Sequence, residues 1–171
     1  HNPTGRAFGR AELEALAALA IERGWVVLSD EIHADLTHAG QDFIPFAALG
    51  EEVARRTVTF SSASKAFNIA GLRCAVAHFG TRELMTQFQT VVPGYVRGGV
   101  GILSQHATVA AWREGDAWLD QVRGYLEVSR HHVVDRLRVL LPEVSVHLPE
   151  ATYLAWLDLR AGGTRIFAAV S

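Results

Sequence analysis

Ser61-Ser62-Ala63-Ser64-Lys65-Ala66-Phe67-Asn68-Ile69-Ala70-Gly71-Leu72-Arg73 decides the fold and the chemistry of this chain. It places hydroxyls, an amine and a guanidinium between two short apolar runs, Thr57–Phe60 and Cys74–Phe79, each of which reads as a strand. Upstream, Trp25–Leu28 is a third apolar run, ending in Ser29-Asp30, and its composition predicts a strand buried on both faces. A weak helix around Leu49–Arg55 and a loop separate that run from Thr57. Strands joined by helices or long connections predict an α/β architecture with a mostly parallel sheet. In such sheets ligands gather beyond the carboxyl ends of the strands, where Asp30 and the Ser-Lys segment both fall.

The flanks extend this pattern. Leu13, Leu16, Ala17, Ala20 and Ile21 recur at helical spacing before Gly24, and Thr81 is positioned to cap a helix carrying Leu84, Met85 and Phe88. From Gly101 to Leu141 the chain reads as helical, broken at Gly115-Asp116 and stopped by Pro142. Val144–Leu148 and Tyr153–Leu157 predict a hairpin-like pair in a second small unit, and Thr164–Ser171 begins another apolar segment. The expected division is residues 1–127, part of a large domain, and residues 128–171, part of a small α+β domain. The opening turn His1-Asn2-Pro3-Thr4-Gly5 and the closing apolar segment both suggest a chain cut at its two ends.

Of 171 residues, 49% are hydrophobic and 20% charged, with a net charge of -2, enough for a sizeable core and without the basic stripe that nucleic acid demands. No apolar run has the length to cross a bilayer, and no secretory leader pattern opens the chain. A single cysteine, Cys74, excludes an internal disulfide framework and points to the cytoplasm; within its apolar run it reads as an inert buried thiol. Among the 16 basic residues only Lys65 is lysine. A guanidinium stays protonated, whereas an ε-amine can lose its proton and condense with a carbonyl, so the lone lysine marks a position where amine chemistry is a candidate.

Four features follow one another: Asn2-Pro3-Thr4-Gly5, Asp30-Glu31-Ile32-His33, Ser62-Ala63-Ser64-Lys65 and Gly71-Leu72-Arg73. Each has a plain reading alone, as a turn, a helix cap or a surface charge. Ser-x-x-Lys also occurs in penicillin-recognising enzymes, but those need a Lys-Thr-Gly that a chain with one lysine does not have. The histidines show no metal-ligand spacing, and Trp112, Trp118 and Trp156 read as core. Tyr95 and Arg97, in the glycine-rich segment Pro93–Gly101, are candidates to reach a site across a dimer interface.

In this order and spacing the four features resemble the core of the fold type I pyridoxal-5'-phosphate (PLP) enzymes, the aminotransferase class I/II family. The resemblance runs from the first turn to Tyr153-Leu154-Ala155-Trp156 and is most specific over Ser61–Arg73. It implies a PLP cofactor joined to Lys65 as a Schiff base, with Lys65 later shuttling the substrate Cα proton. It implies that Asp30 pairs with the pyridinium nitrogen, that Asn2 hydrogen-bonds the phenolic oxygen, and that Ser62, Ser64 and Arg73 hold the phosphate. The residue types suit those roles, since a carboxylate keeps the ring nitrogen protonated and a dianion wants a guanidinium with hydroxyl donors. His33 replaces the tyrosine of aspartate aminotransferases. With Phe67–Leu72 and the Trp112–Trp118 stretch it is similar to the cystathionine β-lyase branch, which includes the MalY/PatB type of bacterial C–S lyase. There His33 either hydrogen-bonds the phenolic oxygen or packs at the pocket floor. The family implies an amino-acid substrate, a homodimer, and either transamination or loss of a β-thiolate. It also implies an earlier segment with a phosphate turn and a ring stacked on PLP, and a later one with the arginine that grips the substrate carboxylate, a context that neither Arg160 nor Arg165 matches. The competing expectation is a non-catalytic or inactive fragment with the same fold.

Overall fold

A computed structural model describes residues 1–161, so the apolar segment Thr164–Ser171 and Arg165 lie outside the described residues. The chain divides into two compact units. One comprises residues 8–35 and 43–119; the other joins residues 1–7 and 36–42 to the described residues from 120 onward. The division at 119/120 falls inside a single helix, Asp116–Leu140, which also carries residues 127 and 128. Spacing along the sequence cannot reveal that two distant short segments fold with the C-terminal part.

The larger unit opens with α1 (Arg10–Glu22), whose first turn is closed by the Gly9 amide donating to Glu12 Oε2 at 3.0 Å. The predicted apolar stripe is real: Leu13 and Ala17 are buried against Phe46 and Val53, with Ile21, Val27, Ile44 and Leu49 packed around them. Then follow β1 (Val27–Asp30), a 3-10 turn (Phe46–Leu49), α2 (Glu51–Arg55), β2 (Thr57–Ser61) and β3 (Val76–Phe79). The sheet order is β1-β2-β3. β1 runs parallel to β2, as a helical connection requires, but β3 runs antiparallel to it, so the described sheet is mixed rather than mostly parallel. The connection between β2 and β3 contains no long helix, which allows the chain to return in the opposite direction. After β3 come α3 (Arg82–Val91), α4 (Gly94–Arg97), α5 (Ile102–Glu114) and the start of α6 (Asp116–Leu140). Thr81 caps α3 as expected, its Oγ1 accepting from the Leu84 amide at 3.3 Å.

Three expectations are corrected here. The run Trp25–Leu28 is not buried on both faces: Trp25, Val26 and Leu28 are half exposed or more, and only Val27 and Leu28 of it lie in β1, which is hydrogen-bonded to β2. Cys74 precedes β3 and is half-buried, and its carbonyl accepts a hydrogen bond from Ser62 Oγ of the preceding loop. Trp112, Trp118 and Trp156 are 41–51% exposed, so none is core.

The second unit is held by backbone pairing across long sequence distances. Gly5 O accepts from the amides of Glu150 (2.7 Å) and Ala151 (2.9 Å), and Thr37 bridges Ala151 in antiparallel fashion. The His38 amide donates to Glu150 O, and the Thr152 amide to Leu36 O. Leu36, Val134 and Thr152 are the most buried side chains of this unit. The expected hairpin-like pair exists, reduced to β4 (Ser145–Val146) and β5 (Leu157–Asp158), antiparallel.

Candidate active site

Sheet register gathers the larger unit's candidates at one edge. Asp30, the last residue of β1, pairs with Phe60, and Ser61, the last of β2, pairs with Val76, the first of β3. The carboxyl ends of β1 and β2 and the entry to β3 therefore share one end of the sheet. Asp30, the Ser62–Lys65 loop and Arg73 all leave from it.

The turn after β1 is braced. The Glu31 amide donates to Phe60 O at 2.9 Å, and Glu31 Oε1 accepts both Ser29 Oγ (2.9 Å) and the Phe46 amide (3.2 Å). Asp30 is exposed, with Oδ1 accepting the Ile32 amide at 3.2 Å. So Asp30 does cap a local turn, yet that bond occupies one carboxylate oxygen. Sequence reading missed Glu31 as the brace, although a carboxylate beside a strand-end Asp was the available signal. Two residues on, His33 is half-buried; burial first, then the charge of Lys65, holds its imidazole below the ordinary value against the opposing pull of Asp30. Lys65 and Asp30 thus both act on the His33 imidazole.

The Lys65 loop is organised around Ser62. This side chain is buried, its Oγ donates to Cys74 O at 2.6 Å, and it lies 2.6 Å from Ser64 Oγ and 3.1 Å from the Ser64 amide that donates to it. With its proton given to Cys74, Ser62 accepts from Ser64. The turn continues with the Phe67 amide on Ala63 O and the Ile69 amide on Ser64 O, while Ala63 and Ala66 are fully buried. Lys65 and Ser64 remain half-buried, accessible from one side. Arg73 is exposed and sits at φ 52°, the left-handed conformation, directly after a 3-10 turn (Ala70–Leu72). That backbone setting turns the chain into β3.

A carboxylate, an amine, two hydroxyls and a guanidinium at one sheet edge form a donor set suited to a phosphorylated heteroaromatic aldehyde. For such a group a carboxylate would suit the ring nitrogen, an amine the carbonyl, and a guanidinium with hydroxyls the phosphate. Asn2 belongs to the other unit, where it is exposed in a turn with a cis Asn2–Pro3 bond. That turn is anchored by the Gly5 amide on His1 O (2.8 Å) and by His147 Nε2 donating to Thr4 O (2.7 Å).

The same unit holds a cluster to which sequence reading assigned no role. His38 is buried, its Nε2 donates to Thr152 O at 2.9 Å, and its Nδ1 lies 3.6 Å from Glu127 Oε2. Glu127 Oε1 also accepts Arg130 Nη2 at 2.6 Å and faces His131 Nε2 at 3.2 Å. Burial and the Arg130 charge outweigh the Glu127 carboxylate and hold His38 below its ordinary value, while Arg130 holds Glu127 in its charged form.

Comparison with known proteins accords with this arrangement. The family model for aminotransferase class I and II matches residues 1–169. The chain is 37% identical over 163 residues to cystathionine beta-lyase PatB of Bacillus subtilis (strain 168), covering 95% of this chain and 42% of that protein. Its structure is similar to the crystal structure of OvoB, with a TM-score of 0.91 and 41% identity over 95% of this chain and 43% of that one. It is also similar to the PLP-bound C-S lyase from Staphylococcus hominis, with a TM-score of 0.83 and 38% identity over 93% of this chain and 39% of that one. The chain thus spans about two-fifths of the length of the relatives it matches. The chain belongs to the aminotransferase class I and II family.

Proposed function

We propose that the protein of which this chain is the whole or a part is a PLP-dependent enzyme acting on amino acids, and that its reaction is C–S β-elimination. The observation that carries this reading is the single sheet edge from which Asp30, the Ser62–Lys65 loop and Arg73 project, with Lys65 the lone lysine of the chain. When bound, PLP supplies an exchangeable carbonyl and a ring that withdraws electrons from the substrate Cα. Lys65 would be the residue that holds PLP, and its Nζ would take the Cα proton and pass it to the departing thiolate, which leaves as the thiol. The Asp30 carboxylate keeps the ring nitrogen protonated. Arg73 and Ser64 bind the phosphate, while Ser62 orients Ser64 from within the loop. His33, kept neutral by burial, offers the phenolic oxygen a hydrogen bond rather than a charge, and Asn2 is the second candidate for that oxygen.

Similarity to a cystathionine beta-lyase and to a C-S lyase favours elimination. Transamination is the second reading, favoured by the family to which the chain belongs. We read the protein as a cytoplasmic homodimer. Exposed Tyr95, Val96, Ile102 and Leu103 support an apolar contact surface, and the single cysteine suits a reducing compartment. Among the described residues no helix is long and apolar enough to cross a membrane.

Incubating the full-length protein and PLP with cystathionine tests the reading. Elimination releases a thiol, pyruvate and ammonia in equal amounts; transamination instead consumes an α-keto acid and yields its amino acid. Neither product from a folded protein with bound PLP would favour the non-catalytic alternative.

A further inference from the structure

Lys65 carries its amine on a flexible four-carbon stem, so its reach depends on how firmly the backbone on both sides is held. On the N-terminal side the Ser62 hub provides that anchor. On the C-terminal side a second anchor comes from the corner between α5 and α6. The Trp118 indole Nε1 donates to Ala66 O at 3.4 Å, the carbonyl of the residue directly after Lys65. The next side chain, Phe67, lies against the corner glycine. A Cβ on Gly115 would stand 2.3 Å from Phe67 Cε1 and 3.1 Å from Cζ. The helix break at Gly115 is therefore a socket for the Phe67 ring, and any larger residue there would displace it.

We propose that Trp118 and Phe67, meeting at the Gly115 corner, are positioning residues that set where the Lys65 amine stands. The inference rests on the reading of Lys65 as the cofactor lysine. Trp118 is 51% exposed, so it contributes little as core and its indole N–H can be removed without opening a cavity. Its effect on Lys65 is local and acts through the Ala66 peptide. Misplacing a reacting group by a fraction of an ångström slows chemistry while leaving substrate recognition largely intact.

The test uses full-length protein with PLP, comparing wild type with Trp118→Phe and Phe67→Leu. Trp118→Phe removes the donor and keeps most of the ring; Phe67→Leu leaves the socket partly empty and serves if the first variant folds poorly. Four quantities are read: melting temperature, the rate at which the visible absorbance of the lysine-bound cofactor develops, the pH midpoint of that absorbance, and kcat against KM. The expected result is a development rate and a kcat lowered by about tenfold, with KM within about twofold. The pH midpoint should move while the melting temperature stays near wild type. An unchanged rate and pH midpoint in both variants overturn the proposal, as does a loss of every quantity in proportion to a fall in melting temperature. If wild type itself fixes no cofactor on Lys65, the underlying reading fails and takes this proposal with it.

Discussion

Replacing Gly5 by alanine separates backbone strain from steric contact in the turn that carries Asn2. Gly5 has φ +67°, and a Cβ there would meet Leu154 O at 2.9 Å and Pro149 Cβ at 3.0 Å. Gly24 has nearly the same backbone, φ +64°, but nothing within 4 Å of its Cβ position. Alanine in the left-handed region costs about 1–2 kcal/mol, partly offset by about 0.4–1 kcal/mol from a less flexible unfolded chain. Gly24→Ala should therefore destabilise by about 1 kcal/mol. Gly5→Ala carries the same strain plus two close contacts, one of them to backbone, in a buried site where overpacking adds about 1–3 kcal/mol. Its total is about 2–4 kcal/mol. Because Gly5 O accepts two amides from Glu150 and Ala151, the displacement should also loosen the turn. Urea unfolding of both full-length variants, with slope and midpoint fitted together, supplies the comparison. Equal destabilisation of the two would refute the reasoning, since it would mean that the contacts around Gly5 carry no cost.

Ser62→Ala should destabilise by about 1–3 kcal/mol, because Cys74 O and the Ser64 donors lose a buried partner, whereas Ser64→Ala should chiefly weaken PLP affinity; melting curves beside PLP titrations distinguish the two. Glu31→Ala removes the acceptor of Ser29 Oγ and the Phe46 amide and should cost about 1–3 kcal/mol, with faster cofactor loss on dialysis as the Asp30 turn loosens. Since the folded His38 pKa lies below the ordinary 6.5, protonation favours the unfolded state. Its contribution is complete above about pH 6.5 and is lost as pH falls towards the folded value, so melting scans from about pH 7.5 to 5.5 should show a fall that His38→Gln reduces. His33, shifted in the same direction, accounts for a residual slope.

Local chemistry made much of the site legible. β2 and the loop after it stood out because an apolar run meets a hydroxyl-rich segment with the lone lysine, and the Thr81 cap and the Gly115 break were equally plain. β1 was displaced in the reading because its hydrogen-bonded register continues through polar Ser29 and Asp30, where an apolar pattern stops. Trp25, apolar and counted as strand, closes the end of α1 instead, its amide donating to Ala20 O. β3 begins late because Arg73 adopts the left-handed conformation and Cys74 O serves Ser62. The second unit was legible in its hairpin-like pair, but the two N-terminal segments that join it were not. Its assembly depends on residues 1–7 and 36–42 pairing with 149–154, and no periodicity encodes a contact at that separation. Glu31 was missed because it braces the Asp30 turn through Ser29 and the Phe46 amide.

Borohydride reduction of the full-length protein incubated with PLP, followed by proteolysis and mass analysis of the peptides, tests the central claim most directly. If Lys65 is the cofactor lysine, one modified peptide appears and contains Lys65, while Lys65→Ala shows no visible band and no such peptide. A folded protein that binds PLP but is labelled elsewhere, or not at all, would contradict it.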